Sequence, residues 1–467
     1  MTQTAESPST TLRSRMRGDV VDATDLAYDE ARKVWNAGID RRPLMIARCL
    51  DEADVQAAVR FATEQGLEIA VRCGAHAMSG TSVVDDGIVI DLGAMNQVRV
   101  DPDARRAVVA GGALLADMDA ATQAHGLAVP AGLVSHTGVG GLTLGGGMGW
   151  LSRLGGLTID NLVSARVVTA DGQARVASAT EHPDLFWAIR GGGGNFGVVT
   201  EFEFALLEVG PMVHFGLLFW SLDQGAEMMR RARGVIDGLP DDVNVMIGGL
   251  NAPPAPFVPQ EHQLAPGYAA LVVGMGSPDH HAEVCAALTD GVPPLFQFAT
   301  PMPYVELQKL IDEANAWGLY AYDKGCYVKE LSDEVIDVFT EHFPRKTSPL
   351  SLVLFYRLDG AYSRVAEDAT AFGGGRSARF GMFMIGVCPV SEMLPGEREW
   401  VRSMADALRP AAADDGLYVN GMTDFDARSS VEMAYGPDKY ARLVQLKTTY
   451  DPDNTFRLNA NIPPAPR

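Results

Sequence analysis

The sequence is short of basic residues and of cysteines. Its 38 Lys and Arg residues are outnumbered by 59 Asp and Glu residues, so the net charge is −21. A surface of this sign repels phosphate backbones and anionic lipids, which argues against nucleic acid or a membrane as a partner. The five cysteines are scattered and form no CxxC pair, so the pattern indicates neither a disulfide framework nor a metal site.

Targeting and membrane segments are also missing from the pattern. No apolar run approaches the length of a membrane span, and the N-terminal residues do not combine a basic region with an apolar core. We therefore expect a cytoplasmic protein. The composition, 47% hydrophobic and 21% charged, is that of a soluble globular protein. A length of 467 residues is too great for one ordinary core, which makes two domains the default expectation.

The most informative segment that the chain does contain is Val71-Arg-Cys-Gly-Ala-His-Ala-Met-Ser-Gly80, which follows an apolar, strand-like run. Its small side chains let backbone N–H groups crowd around an anion such as a pyrophosphate. The imidazole of His76 can coordinate, shuttle a proton or bond covalently to a cofactor. The same ten residues would also suit a structural turn.

Two glycine-rich runs follow, at residues 130–150 and 184–200. The second contains the pattern GxGxxG at Gly192, Gly194 and Gly197. A dinucleotide-binding Rossmann unit needs a strand before these glycines and a helix after them. Here a helix-like stretch precedes them and a β-rich stretch follows, so a classical NAD-binding fold is excluded.

These runs, in this order and spacing, resemble the FAD-linked oxidase family, which contains berberine bridge enzyme, vanillyl-alcohol oxidase and the oligosaccharide oxidases. The C-terminal segments at residues 435–440 and 450–464 are similar to that family's berberine-bridge signature. The resemblance covers nearly the whole chain. It implies an α+β, two-domain PCMH-type FAD-binding fold with a central antiparallel-sheet substrate domain.

One expected domain limit lies at Gly210-Pro211, where longer β segments begin, and the other, at about Leu408, comes from the resemblance. These limits place the FAD-binding domain at residues 1–209, the substrate-binding domain at 210–408, and a berberine-bridge-like segment that returns to the FAD domain at 409–467. Hydrophobic periodicity predicts individual elements within these limits. The predicted helices are 52–62, which begins at Asp51 or Glu52 and ends at Gly66, then 114–125, 227–236 and 333–341. The predicted strands are 44–48, 67–72, 88–92, 107–110, 215–220, 244–247, 269–274, 350–356 and 380–385. A Pro-rich stretch, 252–266, is predicted to be a mobile surface loop.

The resemblance assigns FAD as the cofactor, joined through a single covalent link to His76. The second attachment cysteine of many relatives is replaced by Val134, which has no nucleophile. Ala75 and Ala77 depart from the family's Gly and Ser, and Ala75 must adopt a backbone conformation that L-residues can reach. The expected cofactor-binding residues are Arg72, Cys73, Gly74, Ala75, His76, Ser79, Val134, Thr137, Gly138, Gly141, Gly145, Gly197, Val198, Val199, Asn459 and Asn461.

The segment Ser135-His-Thr-Gly138 is similar to a bacterial subgroup that includes the enterocin favorskiiase. His136 is interpreted as support for the turn, although an imidazole can also act as a base. Thr137 is nearly isosteric with Val and leaves room for O₂ beside the flavin.

The catalytic base is the least determined part of the resemblance. Many relatives read Y-x-N-Y near the C-terminus, with the second Tyr as the base. This chain reads Tyr418-Val-Asn-Gly421, and glycine cannot exchange a proton. The loss of that phenol predicts a larger cavity. The catalytic candidates are then Tyr356, as the base, and Asn420; Tyr362 is a second tyrosine to consider, and either tyrosine also suits an ordinary strand.

The favoured function is hydride transfer from a small organic molecule, hydroxyl-bearing or a natural product, to covalent FAD, followed by reoxidation by O₂. One alternative is a flavin-dependent oxygenase that acts on a polyketide-like enol or phenol. Another is a flavin-carrying binding protein without turnover. The sequence does not name the substrate or the oligomeric state.

Overall fold

The computed structural model describes residues 7–413, 417–423 and 428–466. The β-strands in these residues are β1 Val20–Asp22, β2 Met45–Arg48, β3 Ile69–Arg72, β4 Ile88–Asp91, β5 Val98–Asp101, β6 Arg106–Ala110, β7 Leu127–Ala128, β8 Leu162–Val168, β9 Ala174–Ser178, β10 Val198–Ala205, β11 Leu207–Glu208, β12 Met212–Trp220, β13 Val243–Asn251, β14 Pro266–Gly274, β15 Phe296–Pro303, β16 Tyr320–Val328, β17 Leu352–Leu358 and β18 Arg379–Cys388. The α-helices are α1 Pro8–Arg13, α2 Tyr28–Ala31, α3 Glu52–Gln65, α4 Leu115–Gln123, α5 Val139–Leu144, α6 Ser152–Gly155, α7 Pro183–Ile189, α8 Gly225–Ile236, α9 Pro278–Thr289, α10 Tyr304–Leu307, α11 Asp333–His342, α12 Ala361–Arg364, α13 Leu394–Leu408, α14 Arg428–Tyr435 and α15 Pro437–Tyr450.

Among the described residues, the N-terminal half contains a four-stranded sheet, a five-stranded sheet and a small antiparallel pair formed by β7 and β11. The first has the order β1-β2-β4-β3, with β2 and β3 both parallel to β4. The second has the order β5-β6-β10-β8-β9 and is antiparallel throughout. The helix α3 covers the first sheet and has the predicted signals at both ends: the Asp51 side chain accepts a hydrogen bond from the backbone N–H of Asp54, and Gly66 ends the helix at φ +66°.

The C-terminal half contains a seven-stranded sheet with the order β15-β12-β14-β13-β17-β18-β16. Every neighbouring pair in it is antiparallel, which confirms the predicted fold class. The sequence analysis missed β15 and β16, the two edge strands. The strand β15 carries Pro301 and Pro303, and prolines of this kind are tolerated only where no neighbour needs the missing N–H.

The two faces of the seven-stranded sheet contact different parts of the molecule. One face packs against α8, α9, α11 and α13 and contributes Val353, Phe355, Met382 and Met384 to an apolar core. Alternate residues on the same strands point to the opposite face. That opposite face closes over the N-terminal sheets and, as described below, forms one wall of a cavity.

The segment after α15 is held by a fully buried ion pair between Lys447 and Asp451, whose charged atoms are 2.6 Å apart. The Lys447 ammonium also donates to the carbonyls of Asn195 and Phe456, each at 2.8 Å. The Asn195 amide in turn donates to the carbonyl of Ala460 at 3.1 Å. These bonds fasten the C-terminal segment to the second glycine-rich run of the N-terminal half.

Three further expectations concern the Pro-rich loop, the cysteines and membrane-spanning helices. In the stretch 252–266, Ala252 and Val258 are buried in a core, so this loop is anchored at two points. The five cysteines are all free thiols. No helix in the part of the chain that the structure describes has the length and apolar character needed to cross a bilayer.

The loop that follows β3 and the loop that precedes α5 meet at two glycines, Gly74 and Gly138. A Cβ atom on Gly74 would lie 2.2 Å from the backbone nitrogen of Gly138. A Cβ atom on Gly138 would lie 2.4 Å from the Cys73 sulfur and 2.4 Å from the Gly74 nitrogen. The loop that follows β3 and the loop that precedes α5 can therefore touch only because both residues lack a side chain.

We expect Gly138→Ala to lower the free energy of unfolding by about 1–3 kcal/mol, because the added methyl overpacks a contact formed by backbone atoms. The matched control is Gly141→Ala. That Cβ would meet no atom within 4 Å, and alanine is favoured over glycine in a helix by up to about 1 kcal/mol. Denaturant titration of the two variants checks the expectation, and equal midpoints for Gly138→Ala and the natural protein would contradict it.

Candidate functional site

A cavity of about 420 Å³ lies where the His76 loop, both glycine-rich runs and the seven-stranded sheet meet. Most of the residues predicted to bind a cofactor line it. These residues are Cys73, Gly74, Ala75, His76, Ser79, Val134, Thr137, Gly138, Gly141, Gly197, Val198, Val199 and Asn459. Both catalytic candidates, Tyr356 and Asn420, line the same cavity.

Three predicted cofactor residues lie outside the cavity lining. The Arg72 guanidinium turns away and donates to the carbonyl of Ala31. Gly145 packs against Asn420, since a Cβ there would lie 2.2 Å from the amide oxygen. Asn461 is half-buried, and its side-chain oxygen is buried without a partner among the described residues. The positions of Arg72 and Gly145 suit support of the lining, and binding of the cofactor by Asn461 stays a prediction.

His76 is held between two other rings. Its Nε2 atom lies 2.6 Å from Nδ1 of His136, and the two ring centroids are 4.6 Å apart. The indole of Trp35 stacks on His76 at 5.3 Å with an angle of 23° between the planes. Burial and the neighbouring His136 lower the pKa of His76 to about 3, so the imidazole is neutral near pH 7. The interpretation of His136 as turn support was incomplete, because its ring is the hydrogen-bond partner of His76.

Trp35 is a site residue that the sequence analysis missed. Its backbone N–H donates to the carbonyl of Ala75 at 3.0 Å, and its indole N–H donates to the carbonyl of Asn315 at 2.6 Å. Its position in the sequence, forty residues before the His76 loop, gave no local signal of this contact. Only the packing of the N-terminal segment on that loop reveals it.

The backbone of the His76 loop can bind an anion. Among the described residues, the N–H groups of residues 75–79 donate to no acceptor. Ala75 has φ +54°, in the small left-handed region that L-residues can reach at a cost of about 1–2 kcal/mol. Successive unpaired N–H groups around such a residue form a concave site for an anion.

The rest of the lining fits a flat group with polar edges. A Cβ on Gly141 would meet no atom within 4 Å, and a Cβ on Gly193 would meet only the amide nitrogen of Asn195, at 3.8 Å, so both glycines face open space. The Asn459 side-chain oxygen is buried without a partner among the described residues. The cavity thus combines an anion-binding loop, glycine-lined space and an unpaired amide, which are the features required by a flavin and its diphosphate.

The wall opposite the glycine runs carries three aromatic rings in contact. Phe383 packs edge to face against Tyr356 at 5.2 Å and against Tyr418 at 5.7 Å. A Cβ on Gly421 would lie 2.7 Å from the Phe383 ring. Phe383 therefore occupies the space next to Gly421, and enlargement of the cavity by the missing phenol stays a prediction.

Tyr418 is a second residue that the sequence analysis did not select. Its hydroxyl oxygen accepts hydrogen bonds from the Gly147 N–H at 3.2 Å and from the Asn420 amide at 3.1 Å. The same Asn420 amide nitrogen donates to the Leu142 carbonyl at 3.0 Å. Asn420 therefore positions Tyr418, whose own hydroxyl hydrogen stays available for a bound molecule.

The two other tyrosines under consideration differ in position. Tyr362 is fully buried, donates to the carbonyl of Gly375 and does not line the cavity, which removes it as a catalytic candidate. Tyr356 does line the cavity. Burial raises the pKa of Tyr356, with a smaller contribution from Tyr418, and this keeps its phenol protonated near pH 7.

Family models match two segments of the chain, and known proteins match more than nine-tenths of its length. Residues 43–178 match the FAD binding domain family, and residues 417–463 match the family described as berberine and berberine like. An FAD-linked oxidoreductase of Dictyostelium discoideum is 31% identical over 433 residues, which is 92% of this chain and 91% of that protein. The (R)-6-hydroxynicotine oxidase of Paenarthrobacter nicotinovorans is 30% identical over 458 residues, 96% of this chain and 97% of that protein.

Solved structures agree with these matches. The 6-hydroxy-D-nicotine oxidase from Arthrobacter nicotinovorans superposes with a TM-score of 0.85 at 27% identity, covering 96% of this chain and 98% of that one. A Physcomitrella patens BBE-like protein has the same fold, with a TM-score of 0.88 at 20% identity over 99% of this chain and 100% of that one. The chain therefore belongs to the FAD-linked oxidoreductases of the berberine-bridge-like family, and it is an enzyme with FAD as its cofactor.

Proposed function

We propose that the enzyme is an oxidase that takes hydride from a small hydroxyl-bearing molecule and passes the electrons to O₂. The supporting observation is that one cavity is lined by the glycine runs and His76 and also by the phenols of Tyr356 and Tyr418. Bound FAD supplies the hydride acceptor. Relatives named as a 6-hydroxynicotine oxidase and a chitooligosaccharide oxidase support the oxidase assignment.

Access of O₂ is part of this proposal. Thr137 lines the cavity beside Gly138, and its side chain has about the volume of valine. The backbone of Thr137 is fixed by hydrogen bonds to Val134 and Leu115 at 3.0 and 2.9 Å. A small side chain on a rigid backbone leaves a path for a diatomic molecule. Similarity to the favorskiiase subgroup stays a prediction.

Covalent attachment of FAD through His76 is also proposed. If the Nε2–H of His76 donates to Nδ1 of His136, the Nδ1 atom of His76 carries the lone pair. Nδ1 has no hydrogen-bond partner among the described residues, so this tautomer leaves a neutral nucleophile in the cavity. His136 is then the positioning residue that selects the reactive nitrogen.

The proposal also states that His76 forms the single covalent link between the protein and FAD. Val134 lines the cavity and has no nucleophile. Cys73 also lines it, but its thiol donates to the carbonyl of Ala113 at 3.4 Å, and burial raises its pKa to about 11. A thiol in this state is unreactive at neutral pH because only the thiolate attacks.

The oxidase proposal predicts consumption of O₂ with an equal amount of H₂O₂ when the purified enzyme is given a substrate from a panel of alcohols and phenols. Oxygen uptake and peroxide are measured together. Less peroxide than oxygen, with oxygen found in the product, would instead support the flavin-dependent oxygenase. Flavin that no compound in a broad panel reduces would support a binding protein without turnover.

The attachment proposal predicts that flavin stays with the polypeptide after acid precipitation and maps to one peptide containing His76. His76→Ala should release all of the flavin into the supernatant. His136→Phe keeps an aromatic ring of similar size but removes the acceptor, and should lower the covalently bound fraction at least about tenfold. The control is Cys73→Ser, which should keep the link. Fragmentation of that peptide that places the flavin on Cys73 instead of His76, or an unchanged covalent fraction in His136→Phe, would contradict the assignment.

Because its pKa is raised, Tyr356 is better suited to donate a hydrogen bond to the substrate than to act as the base, the role assigned to it from the sequence. We expect Tyr356→Phe to slow flavin reduction about tenfold, the effect of one lost hydrogen bond, whereas a lost general base costs about 10²–10⁴. Stopped-flow reduction under anaerobic conditions measures the rate. Tyr362→Phe, which removes a hydroxyl outside the cavity, is the control and should reduce flavin at the natural rate. A loss above a hundredfold in Tyr356→Phe would restore the base assignment.

A further inference from the structure

The seven-stranded sheet presents an apolar wall to the cavity. Leu352, Leu354 and Tyr356 on β17 line the cavity together with Phe383 and Ile385 on β18. The strand register sets Leu352 opposite Ile385 and Leu354 opposite Phe383. Side chains of directly opposite residues touch in an antiparallel pair, so these residues form one continuous surface.

The polar groups around this wall are neutral. Among the described residues that line the cavity, none is Asp, Glu, Lys or Arg. A charged substrate group that moved from water to this surface would lose its hydration and gain no opposite charge from these described residues, which is strongly unfavourable. A neutral substrate avoids that cost.

The number of polar groups limits the hydroxyls that a substrate can bury. Tyr356 and Tyr418 provide the hydroxyls on this wall. The Asn420 amide nitrogen already donates to Leu142 and Tyr418. Since buried hydroxyls need hydrogen-bond partners, a sugar would leave most of its hydroxyls unpaired against Leu354, Phe383 and their neighbours. One or two oxygens can be satisfied.

We propose that this site takes a neutral aromatic substrate with one hydroxyl or carbonyl oxygen, its ring packed on Leu354 and Phe383 and its oxygen near Tyr356 and Tyr418. The edge-to-face contacts of Phe383 with both tyrosines hold an aromatic surface in a fixed orientation. The inference rests on the proposed function in that it places the substrate beside the flavin.

Equilibrium dialysis of the flavin-loaded enzyme without O₂ tests the inference with three probes. They are 2-naphthol, 6-hydroxy-2-naphthoate, which adds a carboxylate to the same rings, and cellobiose. We expect 2-naphthol to bind at least about tenfold more tightly than either of the others. Equal or tighter binding of the carboxylate or the sugar would overturn the inference, as would a failure of 2-naphthol to bind.

Two variants assign the binding to the apolar wall. Phe383→Ala should weaken 2-naphthol binding about tenfold through lost aromatic contact. The control is Phe298→Ala on edge strand β15, because Phe298 stacks on Phe257 and does not line the cavity. Leu352→Arg adds a cation to the partly exposed end of the wall and should shift the preference toward 6-hydroxy-2-naphthoate. Equal losses in Phe383→Ala and Phe298→Ala would contradict the assignment.

Binding and turnover are separate measurements here. Preferential binding of 2-naphthol without peroxide formation from any compound would contradict the oxidase proposal and leave the substrate class in place. Peroxide formed rapidly from cellobiose would support the oxidase proposal and overturn the substrate class.

Discussion

The site depends on one contact, the approach of the Gly74 backbone to that of Gly138. The distances at this point exclude a Cβ on either residue. The contact fixes the loop after β3 against the loop before α5, and each loop carries one histidine. With the two backbones locked together, Nε2 of His76 and Nδ1 of His136 lie at hydrogen-bonding distance. A methyl group on either glycine would force the two loops apart, because it would overlap atoms of the facing loop.

The environment of His76 explains how a neutral imidazole is maintained at the edge of a polar loop. Trp35 covers one face of the ring, and His136 is the hydrogen-bond partner of Nε2. Protonation would place a positive charge beside these rings with little solvent, and the pKa of His76 falls for that reason. Among the described residues, the N–H groups of residues 75–79 donate to no acceptor, and they are separate from this ring. One short loop therefore presents two different groups to the cavity, an imidazole and a set of unpaired N–H groups.

The seven-stranded sheet shows how one element serves both stability and recognition. Side chains alternate across a strand, so β17 sends Val353 and Phe355 into the helix-covered core and Leu354 and Tyr356 into the cavity. The helices on the far face keep the strands in register. That register sets Leu354 beside Phe383 and thereby forms the apolar wall.

The amino-acid sequence by itself determined the family, the cofactor, the antiparallel character of the second half and the parts of the cavity lining that come from the His76 loop and the glycine-rich runs. Those properties reside in local signals: the small residues around His76, the glycine-rich runs, and the caps of helices such as α3. The sequence did not indicate strand β15. Its residues alternate between exposed and partly buried positions and include prolines, so they give only a weak strand pattern. Tertiary structure alone decided three contacts. Trp35 stacks on His76, and His136 is the hydrogen-bond partner of His76. Phe383 fills the space beside Gly421. In each of these contacts the two residues are far apart in the chain. A local sequence pattern cannot predict such a contact, because only the packing of distant segments brings the two side chains together.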